Sequence, residues 1–127
     1  MTIYTTGYAG KNATDLKALV ERLGATVVDI RLVPASRWRK EWRGSELGKL
    51  LGDRYVQVRE LGNVNYWLGG PIKINNLDAG ITRLLEISGT LILLCGCADA
   101  EACHRRVVAR ELEDLGHEVS ELEGWKE

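Results

Sequence analysis

Residues 91–110 read LILLCGCADAEACHRRVVAR, and this stretch decides the fold. It begins with four apolar residues, which are typical of a strand that is covered on both faces. A break with two cysteines and several small residues follows, and then Val107, Val108, Leu112 and Leu115 recur at a spacing typical of a helix. The sequence therefore predicts a strand, a loop and a helix in succession, with all three cysteines of the chain at this junction.

The start of the predicted helix has the chemistry of an anion site. Amide groups in the first turn have no partner within the helix, and the helix dipole adds partial positive charge there. Arg105 would add a two-pronged donor. A thiol in such a setting has a pKa lowered from about 8.5 toward roughly 3.5–7.5, which favours a nucleophilic thiolate. Cys103 is therefore either a catalytic nucleophile or a small buried thiol. His104 either binds the ligand or is a histidine that faces solvent or is satisfied in the core.

The composition is that of an ordinary globular protein. The chain has 127 residues, of which 45% are hydrophobic and 28% are charged, and its formal net charge is -1. This length suits one domain, and the small charge argues against a general attraction to nucleic acid or membranes. No apolar run approaches the roughly 20 residues of a membrane span. Clustered cysteines are typical of a reducing compartment, so we expect a cytoplasmic protein with a single domain over residues 1–127.

Hydrophobic periodicity predicts strands that alternate with helices along the chain. Strands are predicted at residues 2–6, 26–30, 55–58 and 90–95, with a weak edge strand at 118–122. Helices are predicted from a cap at Asn12 or Thr14 to Gly24, after residue 45, from about residue 77, and over 103–115. We therefore expect an α/β fold, a single three-layer domain with a mainly parallel sheet and helices on both faces.

Polar residues follow the predicted strands at the points where the strands end. Tyr8 follows the first strand, and Asp29 and Arg31 lie at the end of the second. Open parallel sheets bind ligands outside the carboxyl ends of their strands. Asp29 and Arg31 are two positions apart and share a face of an extended segment. They form either an internal ion pair or a functional pair. In the functional pair Arg31 binds an anion, and Asp29 orients that anion or acts as a base.

Residues 31–43, here called the basic loop, are a second candidate binding region. They contain five basic residues, one acid and two tryptophans. This mixture suits either a nucleic-acid path, with Trp38 or Trp42 stacked on a base, or a packed loop with buried rings. Arg37 is included among the candidate substrate-binding residues. Residues 111–127 carry seven acids and one lysine and are expected to form a solvated helix face and a frayed end.

The cysteines also admit a metal site. Cys95, Cys97, Cys103 and His104 are all residue types that bind zinc. Their spacing differs from that of paired Cys-x-x-Cys ligands, and Cys95 and Cys97 on one extended strand would point to opposite faces. A zinc-stabilised domain and a Cys97–Cys103 disulfide are therefore weaker alternatives, and no metal or cofactor is expected.

Four segments resemble the domain-of-unknown-function family 488. They are Ile3-Tyr4-Thr5-Thr6-Gly7-Tyr8, Val28-Asp29-Ile30-Arg31 with Pro34 and Ser36-Arg37, Glu60-Leu61-Gly62, and Cys95 followed after seven residues by Cys103-His104-Arg105. Tyr8 stands where a histidine is common in that family, and Cys97 stands where an acid is common. The resemblance spans nearly the whole chain and implies the fold and the position of the site rather than a reaction.

These observations lead to one main hypothesis and one competitor. The main hypothesis is a phosphate or anion site at the carboxyl ends of the strands, which takes a phosphate-containing ligand such as a nucleotide or nucleic acid. Cys103 and Asp29 are the candidate catalytic residues of a hydrolase or transferase. The candidate substrate-binding residues are Tyr8, Arg31, Arg37, His104 and Arg105. The competing hypothesis is a non-catalytic module that binds nucleic acid or a protein through the same region and the basic loop.

Overall fold

A computed structural model of the chain describes residues 2–36, 38–65, 69–96 and 103–125. The strands are β1 (Ile3–Gly7), β2 (Ala25–Asp29), β3 (Tyr55–Gln57), β4 (Thr90–Cys95) and β5 (Val119–Glu121). The helices are α1 (Ala13–Leu23), α2 (Gly44–Leu51), α3 (Leu77–Leu85) and α4 (His104–Asp114). None of the helices in the described part of the chain combines the length and the apolar character that crossing a membrane requires.

The five strands form one sheet in the order β3-β2-β4-β1-β5, and each neighbouring pair is parallel. The predicted α/β fold with a mainly parallel sheet is therefore confirmed. β4 lies at the centre, between β2 and β1. Its continuous apolar sequence fits this place because a central strand of a parallel sheet has no face toward water.

Local sequence explains where α1 begins and ends. The side chain of Asn12 accepts a hydrogen bond from the backbone N–H of Asp15 at 3.0 Å, so it satisfies one donor of the first turn. Gly24 ends the helix with a φ of 61°, a left-handed conformation that glycine adopts without steric cost. Of the two caps that the sequence allowed, Asn12 is the one used.

Alternate residues of β4 enter two different hydrophobic clusters. Ile92 and Leu94 pack with apolar residues of α1 and α2. Leu91 and Leu93 pack with apolar residues of α3 and α4. Because successive side chains of a strand point to opposite faces, we infer that the two pairs of helices lie on opposite sides of the sheet.

The long segment between β3 and α3 is more regular than its sequence suggests. The backbone N–H of Val64 donates to the carbonyl of Lys73 at 2.8 Å, and Asn63 and Ile74 form an isolated antiparallel bridge. These bonds satisfy backbone groups that an irregular loop would leave to water. Further short elements that the sequence did not indicate are 3₁₀ turns at Lys40–Trp42, Gly52–Arg54 and Arg59–Leu61.

The acidic end of the chain is attached to the rest of the fold. β5 pairs with β1, and Trp125 is only 4% exposed. The indole Nε1 of Trp125 donates to Oγ1 of Thr6 at 3.0 Å, and Arg22 donates to the carbonyl of Trp125 at 2.9 Å. The expectation of a frayed end was therefore wrong as far as Trp125, because a buried aromatic ring and its hydrogen bonds hold this segment in place.

Candidate functional site

Three adjacent strands end at the same edge of the sheet, here called the carboxyl edge. Gly7 of β1 is in register with Cys95 of β4, and Asp29 of β2 with Leu94 of β4. The chain leaves β1 and β2 for α1 and α2, whereas it leaves β4 for α4. Because these helices pack in different clusters, β4 is flanked by topological switch points, where open α/β sheets bind ligands.

Asp29 and Arg31 form a buried ion pair at the end of β2. Arg31 donates from Nε to Asp29 Oδ1 at 2.8 Å and from Nη2 to Oδ2 at 2.6 Å, so the pair is bidentate. The hydroxyl of Tyr55 also donates to Oδ2, at 2.6 Å. Asp29 is fully buried, and these donors replace the water that its carboxylate has lost. The internal ion pair, one of the two interpretations of the sequence, is therefore present.

The charge of Asp29 affects the protonation states of Arg31 and Tyr55. Burial lowers the pKa of Arg31, but the hydrogen bonds and the negative charge of Asp29 more than offset this effect and raise the pKa above its ordinary value. Burial raises the pKa of Tyr55, and the charge of Asp29 raises it further. Near neutral pH the guanidinium is therefore charged and the phenol is protonated.

Tyr8 extends this group of residues toward β4. Arg31 Nη1 donates to the hydroxyl of Tyr8 at 3.4 Å, and the guanidinium carbon lies 5.2 Å from the centre of the ring. A Cβ atom added to Gly96 would lie 3.1 Å from the same hydroxyl. The hydroxyl of Tyr8 therefore lies between Arg31, after the end of β2, and Gly96, which follows β4. We call Tyr8, Asp29, Arg31 and Tyr55 the aspartate cluster.

A second group, the cysteine cluster, joins the end of β4 to the start of α4 and consists of Cys95, Cys103, Arg105 and Glu121. The Sγ atoms of the two cysteines are 2.8 Å apart. Arg105 donates from Nη1 to Cys95 Sγ at 2.9 Å. It also donates from Nε and Nη2 to the two carboxylate oxygens of Glu121, at 3.0 and 2.9 Å. The guanidinium is therefore fixed by a carboxylate on one side and faces a sulfur on the other.

His104 connects the two clusters. Its Nε2 atom lies 2.8 Å from the carbonyl oxygen of Ile30, and its Nδ1 atom lies 3.7 Å from Cys103 Sγ. A carbonyl only accepts hydrogen bonds, so the proton lies on Nε2, and in the neutral ring Nδ1 is an acceptor that faces the thiol. Because Ile30 lies between Asp29 and Arg31, the first residue of α4 packs directly against the aspartate cluster.

The structure divides the predicted site residues between these clusters. Tyr8, Asp29 and Arg31 lie in one, Cys103 and Arg105 in the other, and His104 between them. Each arginine is paired with a different carboxylate. The predicted roles of Arg37 and Cys97 concern positions outside the described residues.

The division follows from the alternation of side chains in the strands. Val27, two positions before Asp29, packs with α1 and α2, so Asp29 points to their side of the sheet. Cys95 packs with α3 and α4. The two clusters therefore approach each other only at the carboxyl edge, where the strands end.

The basic loop is packed at one tryptophan and open at the other. Trp42 is fully buried and stacks on Tyr8 with ring centres 4.5 Å apart, so it does not offer a face to a nucleic-acid base. Of the two interpretations of the loop, Trp42 therefore follows the packed one, because its ring is part of the hydrophobic core. Trp38 is 85% exposed. Arg39 donates to Glu41 at 2.9 Å, and Arg43 donates to the carbonyl of Ser36 at 3.1 Å.

Two residues of the site, Tyr55 and Glu121, could not be recognised from the sequence. The sequence predicts only a strand at Tyr55, because its bond to Asp29 depends on the register of β3 against β2, in which Tyr55 lies opposite Val27. Glu121 was counted only among the acids of the chain end. No local pattern relates it to Arg105, because the two residues meet only after β5 has joined the sheet.

A groove of about 550 Å³ opens beside the start of α1 and is lined in part by Lys11, Arg39 and Trp125. Its cations already have partners. Lys11 donates to the carbonyl of Gly7 at 3.3 Å and lies over the ring of Trp125, and Arg39 is paired with Glu41. A ligand in this groove would compete with these contacts. The carboxyl edge is the stronger candidate site because it lies at a topological switch point of the sheet.

No protein-family model matches the chain, and no curated protein matches it. The resemblance to the domain-of-unknown-function family 488 therefore stays a prediction based on four short segments.

Proposed function

We propose that the protein binds a phosphate-containing ligand, a nucleotide or nucleic-acid phosphate, at the carboxyl edge of its sheet. One observation carries the proposal: Arg31, the hydroxyl of Tyr8 and the start of α4 meet at a switch point of the sheet. Arg31 Nη1 lies 3.4 Å from the Tyr8 hydroxyl, and His104 of α4 lies 2.8 Å from the carbonyl of the residue before Arg31. A charged fork, a hydroxyl and a helix start are the groups that bind phosphate in other proteins.

Arg31 is the principal ligand-binding cation in this proposal. Asp29 occupies its Nε and Nη2 atoms, and Nη1 is the nitrogen directed at Tyr8. Because the guanidinium is already fixed, an anion that binds Nη1 does not have to order a flexible side chain. The ion pair is neutral as a whole, so the attraction comes from directed N–H groups rather than from net charge.

The start of α4 supplies the second attraction. The first turn of this helix, residues 104–107, contains two arginines and no acid, so the positive end of the dipole is not opposed by a carboxylate within the turn. Cys103 occupies the N-cap position. A phosphate at the carboxyl edge would therefore lie near both the helix start and a thiol.

A thiol beside the bound phosphate would allow the site to catalyse a reaction as well as to bind a ligand. In the proposed chemistry the Cys103 thiolate attacks phosphorus and displaces the leaving group, and water or a second acceptor then releases the phosphoryl group. This sequence describes a hydrolase or a transferase. Asp29 has both oxygens engaged by donors, which favours the role of orienting Arg31 over that of a base.

Binding is tested by titration of the ¹⁵N-labelled protein with inorganic phosphate, followed by amide chemical shifts. We expect shifts at Tyr8, Arg31 and the first turn of α4 at millimolar phosphate. Arg31→Lys retains the charge but loses the fork, and Tyr8→Phe retains the ring but loses the hydroxyl, so both should weaken binding. The matched control is Arg110→Lys, on the exposed side of α4, which should bind as the wild type does. Shifts confined to exposed residues, or equal binding by all four proteins, would contradict the proposal.

Catalysis is tested separately with a phosphate ester that releases a coloured alcohol. Cys103→Ser should bind phosphate with unchanged shifts but should not release the alcohol. Equal turnover by the wild type and this variant would remove Cys103 from the mechanism and leave a binding protein.

A second candidate function, single-stranded nucleic-acid binding through the basic loop, is favoured by the exposure of Trp38. This residue is 85% exposed and lies between basic residues in the sequence, and stacking of a base on an exposed ring is worth about 1–3 kcal/mol. Each phosphate contact would add about −0.7 to the slope of log affinity against log salt.

This candidate is tested with a labelled single-stranded oligonucleotide at two salt concentrations. Trp38→Ala should weaken binding without a change of the salt slope, whereas Arg39→Ala with Lys40→Ala should make the slope shallower. Leu115→Ala, at an exposed apolar residue outside the loop, is the control. The absence of binding by the wild type at low salt would exclude this function.

A further inference from the structure

The two cysteines of the cysteine cluster are placed for a reaction with each other. Cys95 ends β4 and Cys103 occupies the N-cap position of α4, and both side chains are buried. Their sulfur atoms are 2.8 Å apart, which is closer than two thiols pack without interacting, yet no disulfide joins them. Only a small approach separates this distance from the about 2.05 Å of a disulfide bond.

The charge beside the pair favours the reactive form of the sulfur. Arg105 Nη1 donates to Cys95 Sγ at 2.9 Å, and an adjacent cation stabilises a thiolate. Burial lowers the pKa of Arg105, but its hydrogen bonds to Glu121 and the charges of Cys95 and Cys103 more than offset this effect, so the pKa is raised. The guanidinium is therefore a permanent cation. It would also repel a metal ion from the two sulfurs, which argues against zinc at this pair.

We infer that Cys95 and Cys103 are a modification site, at which hydrogen peroxide converts the two thiols into a disulfide. The Cys95 thiolate attacks one peroxide oxygen, the O–O bond breaks, and hydroxide leaves while a sulfenic acid forms on Cys95. The Cys103 thiolate then attacks the Cys95 sulfur, the S–S bond forms, and the sulfenic oxygen leaves as hydroxide. The two thiol protons convert the two hydroxide ions into water, so two thiols and one peroxide give one disulfide and two waters. A dithiol reductant reverses the reaction.

Burial of the pair selects the oxidant. Peroxide is nearly as small as water, whereas oxidised glutathione must bring a bulky sulfur to a thiol that solvent hardly reaches. The buried pair should therefore react with peroxide in preference to bulky disulfides, whereas an exposed reactive cysteine reacts with both. It does not rest on the phosphate proposal, although the disulfide would consume the thiol assigned there to catalysis.

The test uses the full chain with Cys97→Ser, which removes the third thiol. The protein is treated with a small excess of hydrogen peroxide, unfolded, alkylated and weighed by mass spectrometry. We expect the loss of two hydrogen atoms, the loss of both alkylation sites together, and recovery of both with dithiothreitol. Proteolysis after Glu101 separates the two cysteines, so the disulfide should appear as a linked pair of peptides that reduction divides.

Single-cysteine variants supply the controls. Cys103→Ser in the same background should trap a sulfenic acid on Cys95, detectable as an adduct with dimedone. Arg105→Lys, compared with Arg110→Lys, should slow disulfide formation several-fold because the fork to Cys95 and Glu121 is lost. Stable oxidation of one cysteine while the other still alkylates would overturn the inference. When oxidised glutathione replaces peroxide, a glutathione adduct that forms faster than the disulfide would also overturn it. When the wild-type chain is treated with peroxide, a Cys97–Cys103 link would do the same. None of these outcomes bears on phosphate binding, which the amide shifts measure independently.

Discussion

Asp29 accepts the hydrogen bonds that hold the end of β2 in position. Two come from the Arg31 side chain, one from the Tyr55 hydroxyl, and one from the backbone N–H of Arg31 at 3.2 Å. A buried carboxylate with this many donors is stable only while all of them stay in place. The aspartate cluster is therefore the part of the carboxyl edge most sensitive to substitution.

Asp29→Asn should destabilise the fold by about 3–5 kcal/mol, because Arg31 keeps its buried charge and loses its partner. Tyr55→Phe removes one hydrogen bond to a charged acceptor and should cost about 1.5–3 kcal/mol. The control is Tyr4→Phe, since Tyr4 packs in the same hydrophobic cluster and its hydroxyl has no hydrogen bond within the described residues. Urea denaturation followed by tryptophan fluorescence measures all three. Equal losses for the two tyrosine variants would refute the special role of Tyr55.

The stability should also depend on pH through Tyr55. Burial, and then the charge of Asp29, raises the pKa of this phenol in the folded chain above its ordinary value. Such a group contributes its stabilisation fully below the unfolded pKa, about 10, and loses it as the pH rises toward the folded pKa. The urea midpoint of the wild type should therefore fall above about pH 10, and that of Tyr55→Phe should fall less. If the urea midpoints of the two proteins fell in parallel above pH 10, Tyr55 would ionise as easily in the folded chain as in the unfolded chain.

At the scale of elements, the carboxyl edge depends on the contact between the loops that follow β2 and β3. Gly62 lies against Leu32, and a Cβ at Gly62 would lie 2.4 Å from the Leu32 Cα atom. The neighbour is backbone, which does not move aside as the end of a flexible side chain does. The glycine therefore lets two loops approach beside Arg31.

Gly62→Ala should thus destabilise the protein by about 1–3 kcal/mol through overpacking. Gly48→Ala is the matched control, because a Cβ there meets only Tyr55 at 3.9 Å. Gly48 lies inside α2, where alanine should stabilise the helix by about 0.5–1 kcal/mol. Thermal unfolding by circular dichroism should give shifts of opposite sign, and a stable Gly62→Ala protein would show that the loops separate easily.

The elements themselves could largely be predicted from the sequence. The bounds of β4 were predicted correctly because an apolar run lies between Gly89 and Gly96, and the end of α1 because Gly24 follows it. The sequence leaves the start of α1 open between caps at Asn12 and Thr14. The pairing of Arg105 with Glu121 could not be predicted, since it requires the order of the strands. Local pattern therefore predicted which elements form, whereas the partners of the charged side chains depended on how the elements assemble.

At the scale of the whole molecule, Trp125 joins the end of the chain to its beginning. Its ring packs with α1 and α2 and its indole bonds to Thr6 of β1. Trp125→Ala should cost about 3–5 kcal/mol, the usual loss for a buried tryptophan. Trp38→Ala, at the exposed ring of the basic loop, should change stability by about 0.5 kcal/mol or less. Guanidinium denaturation measures both, and a small loss at Trp125 would mean that the chain end contributes little to the fold.

The central position of β4 also has a consequence for the growing chain. β1 and β2 are not neighbours in the sheet, because β4 separates them, and β4 is the fourth strand to be synthesised. A nascent chain emerging from the ribosome therefore pairs β2 with β3 but leaves β1 without either neighbour until Thr90–Cys95 has left the exit tunnel. Folding that waits for such distant contacts is slow and exposes strand edges. During translation, β1 and one side of β2 are thus open to chaperones or to wrong partners until β4 has emerged.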